Sequence, residues 1–141
     1  MVVQHTIDTP YPVGPVHCYT LESEDGLVLF DTGPPTETAR DYLRRHIDLS
    51  RLRHILITHC HIDHYGLAYW LLKETDATLY LPRYDACKLE HHERRLALLE
   101  ELMAGLGFDG RYLRELRGIL ASGAVFPPIP GKFKIDGLVK T

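Results

Sequence analysis

No apolar run in these 141 residues approaches the roughly 20 residues that a membrane-spanning helix needs. Lysine and arginine form no long block and the formal net charge is −3, so neither a nucleic-acid nor a membrane surface is indicated. The N-terminal stretch Met1-Val2-Val3-Gln4-His5-Thr6 lacks a basic segment followed by an apolar one, and no signal peptide is expected there. Cysteine is scarce: Cys18, Cys60 and Cys87 are all there is. An odd, sparse count argues against a disulfide framework and fits a reducing compartment, so a cytoplasmic location is expected. Internal repeats and low-complexity segments are missing as well. What is left has the apolar and charged fractions of an ordinary globular chain, long enough for one domain with a real core. Histidine is the exception: of nine, three fall within six residues.

Along the chain, Val2 to Ile7, Val16 to Leu21 and Leu27 to Phe30 are rich in β-forming residues. The Asp25-Gly26 pair between the second and third marks a hairpin turn, so the opening 30 residues are expected to form an antiparallel meander. Asp31-Thr32-Gly33-Pro34-Pro35 then breaks the strand pattern into a loop. A helix is expected after Thr36, a candidate N-cap, with Ala39, Tyr42, Leu43 and Ile47 inward and Arg40, Arg44 and Arg45 toward water. His54 to Thr58 reads as a buried strand, Gly66 to Glu74 as a helix with Leu67, Trp70 and Leu71 in the core, and Thr78 to Leu81 as another strand. From Asp85 onward, Leu89, Leu96, Leu99, Leu102, Met103 and Leu106 mark a long amphipathic helix ending near Gly105 or Gly107. Tyr112, Leu113, Leu116, Ile119 and Leu120 mark a second, with Asp109 as its cap. Phe126 to Gly131 is irregular, and the last ten residues read as the start of a further strand.

The run His59-Cys60-His61-Ile62-Asp63-His64 follows the fourth strand directly. In α/β sheets, ligands collect at the carboxyl ends of strands. Alternation along an extended segment puts His59 and His61 on one side, where two imidazoles can share an ion, and Asp63 and His64 can reach a second position nearby. Cys60 points the other way and is not counted as a ligand. Neutral imidazole with carboxylate suits zinc and other borderline divalent metals. A lone histidine on a strand is usually a packed or solvated residue. Several bulky titratable groups gathered at one strand end serve no packing purpose, and burying them without partners is costly.

Thr58 to Gly66 resembles the His-x-His-x-Asp-His signature of the metallo-β-lactamase superfamily. Leu27-Val28-Leu29-Phe30-Asp31-Thr32-Gly33 resembles the strand that ends in Asp-Thr-Gly in that family, and Val16 to Leu21 the strand before it; the likeness covers residues 2 to 82. It implies an α/β fold, the αβ/βα sandwich of that family. It implies that His59 and His61 bind a first metal, Asp63 and His64 a second, and that Asp31 supports the cluster from behind as the kind of outer partner that fixes ring orientation. Asp31 is also readable as a turn residue holding the Thr32-Gly33 loop. The implied activity is metal-dependent hydrolysis of an ester, thioester, lactone or β-lactam, with Zn²⁺ as metal (Fe or Mn as alternatives) and Asp63 orienting the nucleophile and accepting its proton. An iron-dependent oxidoreductase branch of the same family is an alternative.

The family also uses a third histidine, a bridging aspartate and a last histidine, each at the end of a later strand. Only 77 residues follow His64, and their histidines, His91 and His92, lie in the polar stretch Glu90 to Arg95. Asp136 lacks the expected strand context. Residues 1–84 therefore read as a first αβ half with the metal motif, 85–121 as a helical insertion and 122–141 as the start of the remainder. Weak metal binding follows as an expectation, as does an exposed sheet face covered by a second copy or by a missing C-terminal half. A non-catalytic metal-binding or assembly module is the competing reading. The expected partner is a small-molecule substrate, with no nucleic acid and no membrane.

Overall fold

The first three strands, β1 (Val2–Ile7), β2 (Val16–Glu22) and β3 (Leu27–Phe30), form the expected antiparallel meander. The β2–β3 turn closes where Ser23 N donates to the Gly26 carbonyl at 2.8 Å. Gly26 sits at φ +149°, and a Cβ there would lie 2.3 Å from the Arg51 carbonyl oxygen, so only glycine fits. β4 (Leu52–Leu56) and β5 (Thr78–Tyr80) then add in parallel to β3, giving one mixed sheet in the order β1-β2-β3-β4-β5. Parallel neighbours need crossovers. The first carries α1 (Glu37–His46) and a 3₁₀ turn at Leu49–Arg51; the second carries α2 (Ile62–Tyr65) and α3 (Ala68–Glu74). Two further helices follow, α4 (His92–Gly105) and α5 (Gly110–Ala121). The computed structural model describes residues 1–85 and 92–121. Cys87, Leu89, His91, the 126–131 segment, Asp136 and the expected final strand lie outside the described residues.

The core lies between one sheet face and the crossover helices. Val16, Cys18, Leu27, Leu29, Leu52, Ile55 and Leu79 line the sheet side, and Ala39, Leu43, Ala68 and Leu71 the helix side. Thr36 caps α1 as expected, its side chain accepting from Ala39 N at 3.2 Å. Trp70, expected in the core, is only half-buried; the Arg44 guanidinium lies over its ring, 5.1 Å from the centroid. The exposed Arg44 side chain thus covers an aromatic as well as meeting water.

Three features differ from expectation. β4 begins at Leu52 rather than His54, because the pairing with β3 slips: Leu27 pairs with Leu52 but Val28 with His54, leaving Arg53 as an extra residue. The slip lets Leu52 and Ile55, three apart, both face the core, and leaves His54 and Leu56 half-buried on the outer face. The helix expected over 66–74 is α3, which starts only at Ala68, and a short helix that was not expected, α2, precedes it across Gly66-Leu67. On α4, Leu96 is buried as expected, whereas Leu102, and Leu106 just past the helix end, are 60% and 67% exposed, so the stripe is not wholly a core stripe. Asp109 does cap α5, its Oδ1 accepting from Arg111 N at 2.6 Å. Glu100 of α4 pairs with Arg117 of α5.

The outer sheet face carries a register row of Tyr19, Phe30, Leu56 and Tyr80 across four strands. Tyr19 is 36% exposed and the other three are half-buried.

Candidate metal centre

Because β3 and β4 are parallel neighbours, their carboxyl ends bring Asp31 and Thr58 side by side, 27 residues apart in the chain. Asp31 N still pairs with Leu56 O at 2.9 Å, continuing the ladder one residue past β3. After Thr58 the chain turns tightly: His61 N donates to the His59 carbonyl at 3.0 Å. This turn drives Cys60 into the core at 0% exposure, as expected of a residue that is not a ligand, and His59 and His61 emerge together with ring centroids 4.6 Å apart. His61 is the N-cap of α2, whose first turn presents Asp63 and His64. The His64 ring comes to 4.0 Å from that of His59, so the three imidazoles form one cluster.

Asp31 organises this cluster. Its backbone is left-handed, φ +58°, a conformation that aspartate tolerates better than most residues. The residue is 5% exposed. Oδ1 accepts from Thr58 N at 2.8 Å; Oδ2 accepts from Thr58 Oγ1 at 2.7 Å and from His64 Nδ1 at 2.8 Å. The Thr58 hydroxyl has one proton, which this bond uses. The 3.0 Å contact between His59 Nδ1 and Thr58 Oγ1 is therefore donated by the imidazole. One buried carboxylate thus fixes the tautomers of two histidines, His64 directly and His59 through Thr58. With both rings neutral, both Nε2 atoms keep their lone pairs. Burial, then His64, then His61 depress the pKa of His59 below 6.5, against smaller opposing effects of Asp31 and Asp63.

Thr32 braces the other side. Its N and Oγ1 donate to the His64 carbonyl at 2.6 and 3.0 Å, and Oγ1 accepts from Leu67 N at 3.1 Å. The backbone groups freed between α2 and α3 are thereby satisfied from the β3 loop.

A family model described as the metallo-beta-lactamase superfamily matches residues 11–138. The chain belongs to the metallo-beta-lactamase superfamily. It is 35% identical over 71 residues to "Probable metallo-hydrolase YqjP" of Bacillus subtilis (strain 168), covering 47% of this chain and 22% of that protein. Its fold is similar to that of a beta-lactamase domain protein from Burkholderia ambifaria, with a TM-score of 0.63 and 20% identity over 96% of this chain and 41% of that one. It is also similar to a metallo-beta-lactamase family protein from Thermus thermophilus, with a TM-score of 0.58 and 24% identity over 96% and 46%. The chain thus spans about a fifth of its curated relative and under half of either structure. The expected fold class, a metallo-beta-lactamase α/β architecture matched in part, holds.

In kind, imidazole with carboxylate, the donor set suits divalent metal ions, and members of this superfamily bind metal ions. His64 Nε2 lies 3.7 Å from Asp63 Oδ2. With His64 neutral these are two acceptors facing each other with no proton between them, an arrangement that a cation relieves. Among the described residues, however, no group of three or more His, Cys, Asp or Glu side chains is placed to hold an ion. The histidines gather ring against ring, and their donor atoms do not converge on one point.

Among the described residues, two clefts adjoin the superfamily motif. One, of 160 Å³, lies between Tyr11 and Val13 of the β1–β2 loop and His61 and Asp63. The other, of 410 Å³, runs from Val13 along His17 and Tyr19 on β2 to Asp31, Asp63 and His64. Thr9 pins the loop: its Oγ1 donates to the Gly14 carbonyl at 2.9 Å. Sequence reasoning missed Thr32, Thr58 and Asp85, whose Oδ2 accepts from Cys60 N at 2.8 Å. Thr32 and Thr58 flank the two motifs and could have been found by asking what satisfies the polar groups there; Asp85 carries no local signal. Among the described residues, no helix is long and apolar enough to cross a membrane.

Proposed function

We propose that the chain supplies the metal-binding motif of a dinuclear metal-dependent hydrolase acting on an ester, thioester, lactone or β-lactam carbonyl. The observation that carries this reading is the Asp31 relay, which leaves the Nε2 lone pairs of His59 and His64 available beside Asp63. His59 and His61 would hold a first ion, and Asp63 and His64 a second. Imidazole with carboxylate suits zinc, and also accepts iron or manganese. When bound, the ions would supply Lewis-acid chemistry, polarising a carbonyl and acidifying a water. Asp63, on the wall of both clefts, orients that nucleophile and takes up its proton. Asp31 acts through the two imidazoles and does not touch substrate.

The chain spans 22% of its curated relative. The activity is therefore proposed for the complete catalytic domain, with residues 1–84 as its first αβ half and 85–121 as a helical insertion. Beyond the cleft, the outer sheet residues Phe30, Leu56 and Tyr80 are where the second half, or another copy, would pack.

A second reading, a metal-binding or assembly module without catalysis, is favoured by the failure of three donors to converge among the described residues. Zinc calorimetry together with hydrolysis of a 4-nitrophenyl ester separates the two. In the complete catalytic domain the hydrolase reading expects zinc-dependent turnover, and a fall in zinc affinity of more than about tenfold in His59→Ala and Asp63→Ala. Zinc binding without turnover of an ester, thioester, lactone or β-lactam supports the module. Unchanged zinc affinity in both variants contradicts both readings.

A further inference from the structure

His17 belongs to no part of the proposed metal motif, yet it lines the same 410 Å³ cleft as Asp63 and His64. Strand alternation explains its position. Val16 and Cys18 of β2 face the core, so His17 and Tyr19 face outward, toward the cleft. Two residues of β1 hold the ring from one side. Its cross-strand partner Thr6 places Oγ1 3.1 Å from Nδ1, and the Gln4 amide nitrogen lies 3.3 Å from the same atom. With the Gln4 amide nitrogen as donor, Nδ1 accepts, and a neutral ring then carries its proton on Nε2. His17 is thus an oriented N–H donor on the wall of the cleft. Apolar surface surrounds it: Val13 from the pinned loop on one side, Tyr19 on the other.

We propose that His17 is a substrate-positioning residue, its Nε2–H donating to a carbonyl oxygen of an acyl substrate whose apolar group lies against Val13 and Tyr19. A neutral acceptor suits the site better than a carboxylate, because Asp31 and Asp63 line the same cleft. The role rests on the reading of Asp63 and His64 as the reacting end of the cleft. It selects apolar carbonyl compounds over small or strongly anionic ones.

The test uses the whole chain labelled with ¹⁵N-histidine, kept in chelator, with hexanamide as a hydrolysis-resistant carbonyl probe. Long-range ¹⁵N–¹H correlations should report the Nε2–H tautomer for His17, and hexanamide should shift that Nε2 signal. Acetamide, with the same carbonyl and almost no apolar chain, should bind more weakly. His17→Phe should weaken hexanamide about fivefold, the loss of one hydrogen bond, while His17→Gln, which restores a donor, should stay within about twofold of wild type. A purely structural role in the β1–β2 pair would move neither titration. An Nδ1–H tautomer, or hexanamide binding that leaves His17 unshifted, overturns the proposal. If His17→Phe does not fold, the wild-type tautomer and titration still decide. No metal is present in this assay, so its failure is distinct from a failure of zinc to bind.

Discussion

Asp31 and His64, 33 residues apart in sequence, meet through a 2.8 Å hydrogen bond from His64 Nδ1 to Asp31 Oδ2. The bond ties the end of β3 to the first turn of α2, and it depends on Asp31 holding φ +58°. Local strain, a long-range contact and the tautomer of an imidazole beside Asp63 are therefore features of one residue.

Replacing Asp31 separates these effects. Asp31→Ala leaves Thr58 N–H and His64 Nδ1–H without their acceptor, so unfolding free energy should fall by about 2–3 kcal/mol. Asp31→Asn keeps the shape and the tolerance of left-handed backbone, so it should lose less stability. Zinc affinity should drop about 10- to 100-fold in both, since neither retains the carboxylate. Urea denaturation and calorimetry on the same samples check this; wild-type zinc affinity in Asp31→Asn would contradict it.

Gly66 separates α2 from α3 at an ordinary φ, so its role is close approach rather than unusual backbone. A Cβ there would lie 2.4 Å from the Ile62 carbonyl oxygen and 2.5 Å from Pro35 Cδ. Gly66→Ala should therefore cost about 1–3 kcal/mol by overpacking. It should also displace α2, and with it Asp63 and His64. Amide chemical shifts of residues 31–35 and 61–67 should move in this variant, and a spectrum unchanged there would count against the packing explanation.

Acid should destabilise the fold partly through His5. This residue is 4% exposed, shares a 2.9 Å hydrogen bond with Thr20 Oγ1, and packs edge-on to Tyr42. Burial first, and His46 second, hold its pKa below 6.5. The unfolded chain then binds this proton more readily than the folded one. The contribution of His5 is complete above pH 6.5 and is lost as pH falls from there through the depressed folded value. His59, shifted the same way, adds the same sign. Thermal midpoints across this range should fall less steeply in His5→Gln than in wild type; parallel curves would show that His5 does not contribute.

Cys18 and Cys60 should be chemically silent. Both are 0% exposed, and burial, followed by the nearby Asp31 charge, pushes the Cys18 thiol up to about 12. Iodoacetamide should label neither in the native protein and both in guanidinium, as read by peptide mapping. Native labelling of Cys18 would mean that the β2 core face opens readily.

What could be read from the residues was what local chemistry controls. The meander from Val2 to Phe30 follows from alternation and the Asp25-Gly26 turn, and α1 follows from Thr36 and the spacing of Ala39 and Leu43. The His59–His64 run is contiguous, so its side chains had to emerge at one strand end. Contacts between distant segments were not legible. Arg53 shifts the register of β4 only because β3 pairs beside it, and Gly66 separates α2 from α3 where Pro35 lies close to it. Thr58 and Thr32 acquire their roles from Asp31 and His64, neither of which is a helical or strand neighbour. Leu102 and Leu106 carry helical periodicity, but periodicity does not say that a partner surface is present.

Zinc titration followed by histidine side-chain ¹⁵N NMR tests the proposed metal motif most directly. The expected result is that the Nε2 signals of His59 and His64 shift on zinc addition together with a ring nitrogen of His61, while His5, His17, His46 and His54 stay in place. Zinc-induced shifts confined to other histidines, or none at saturating zinc, would contradict it.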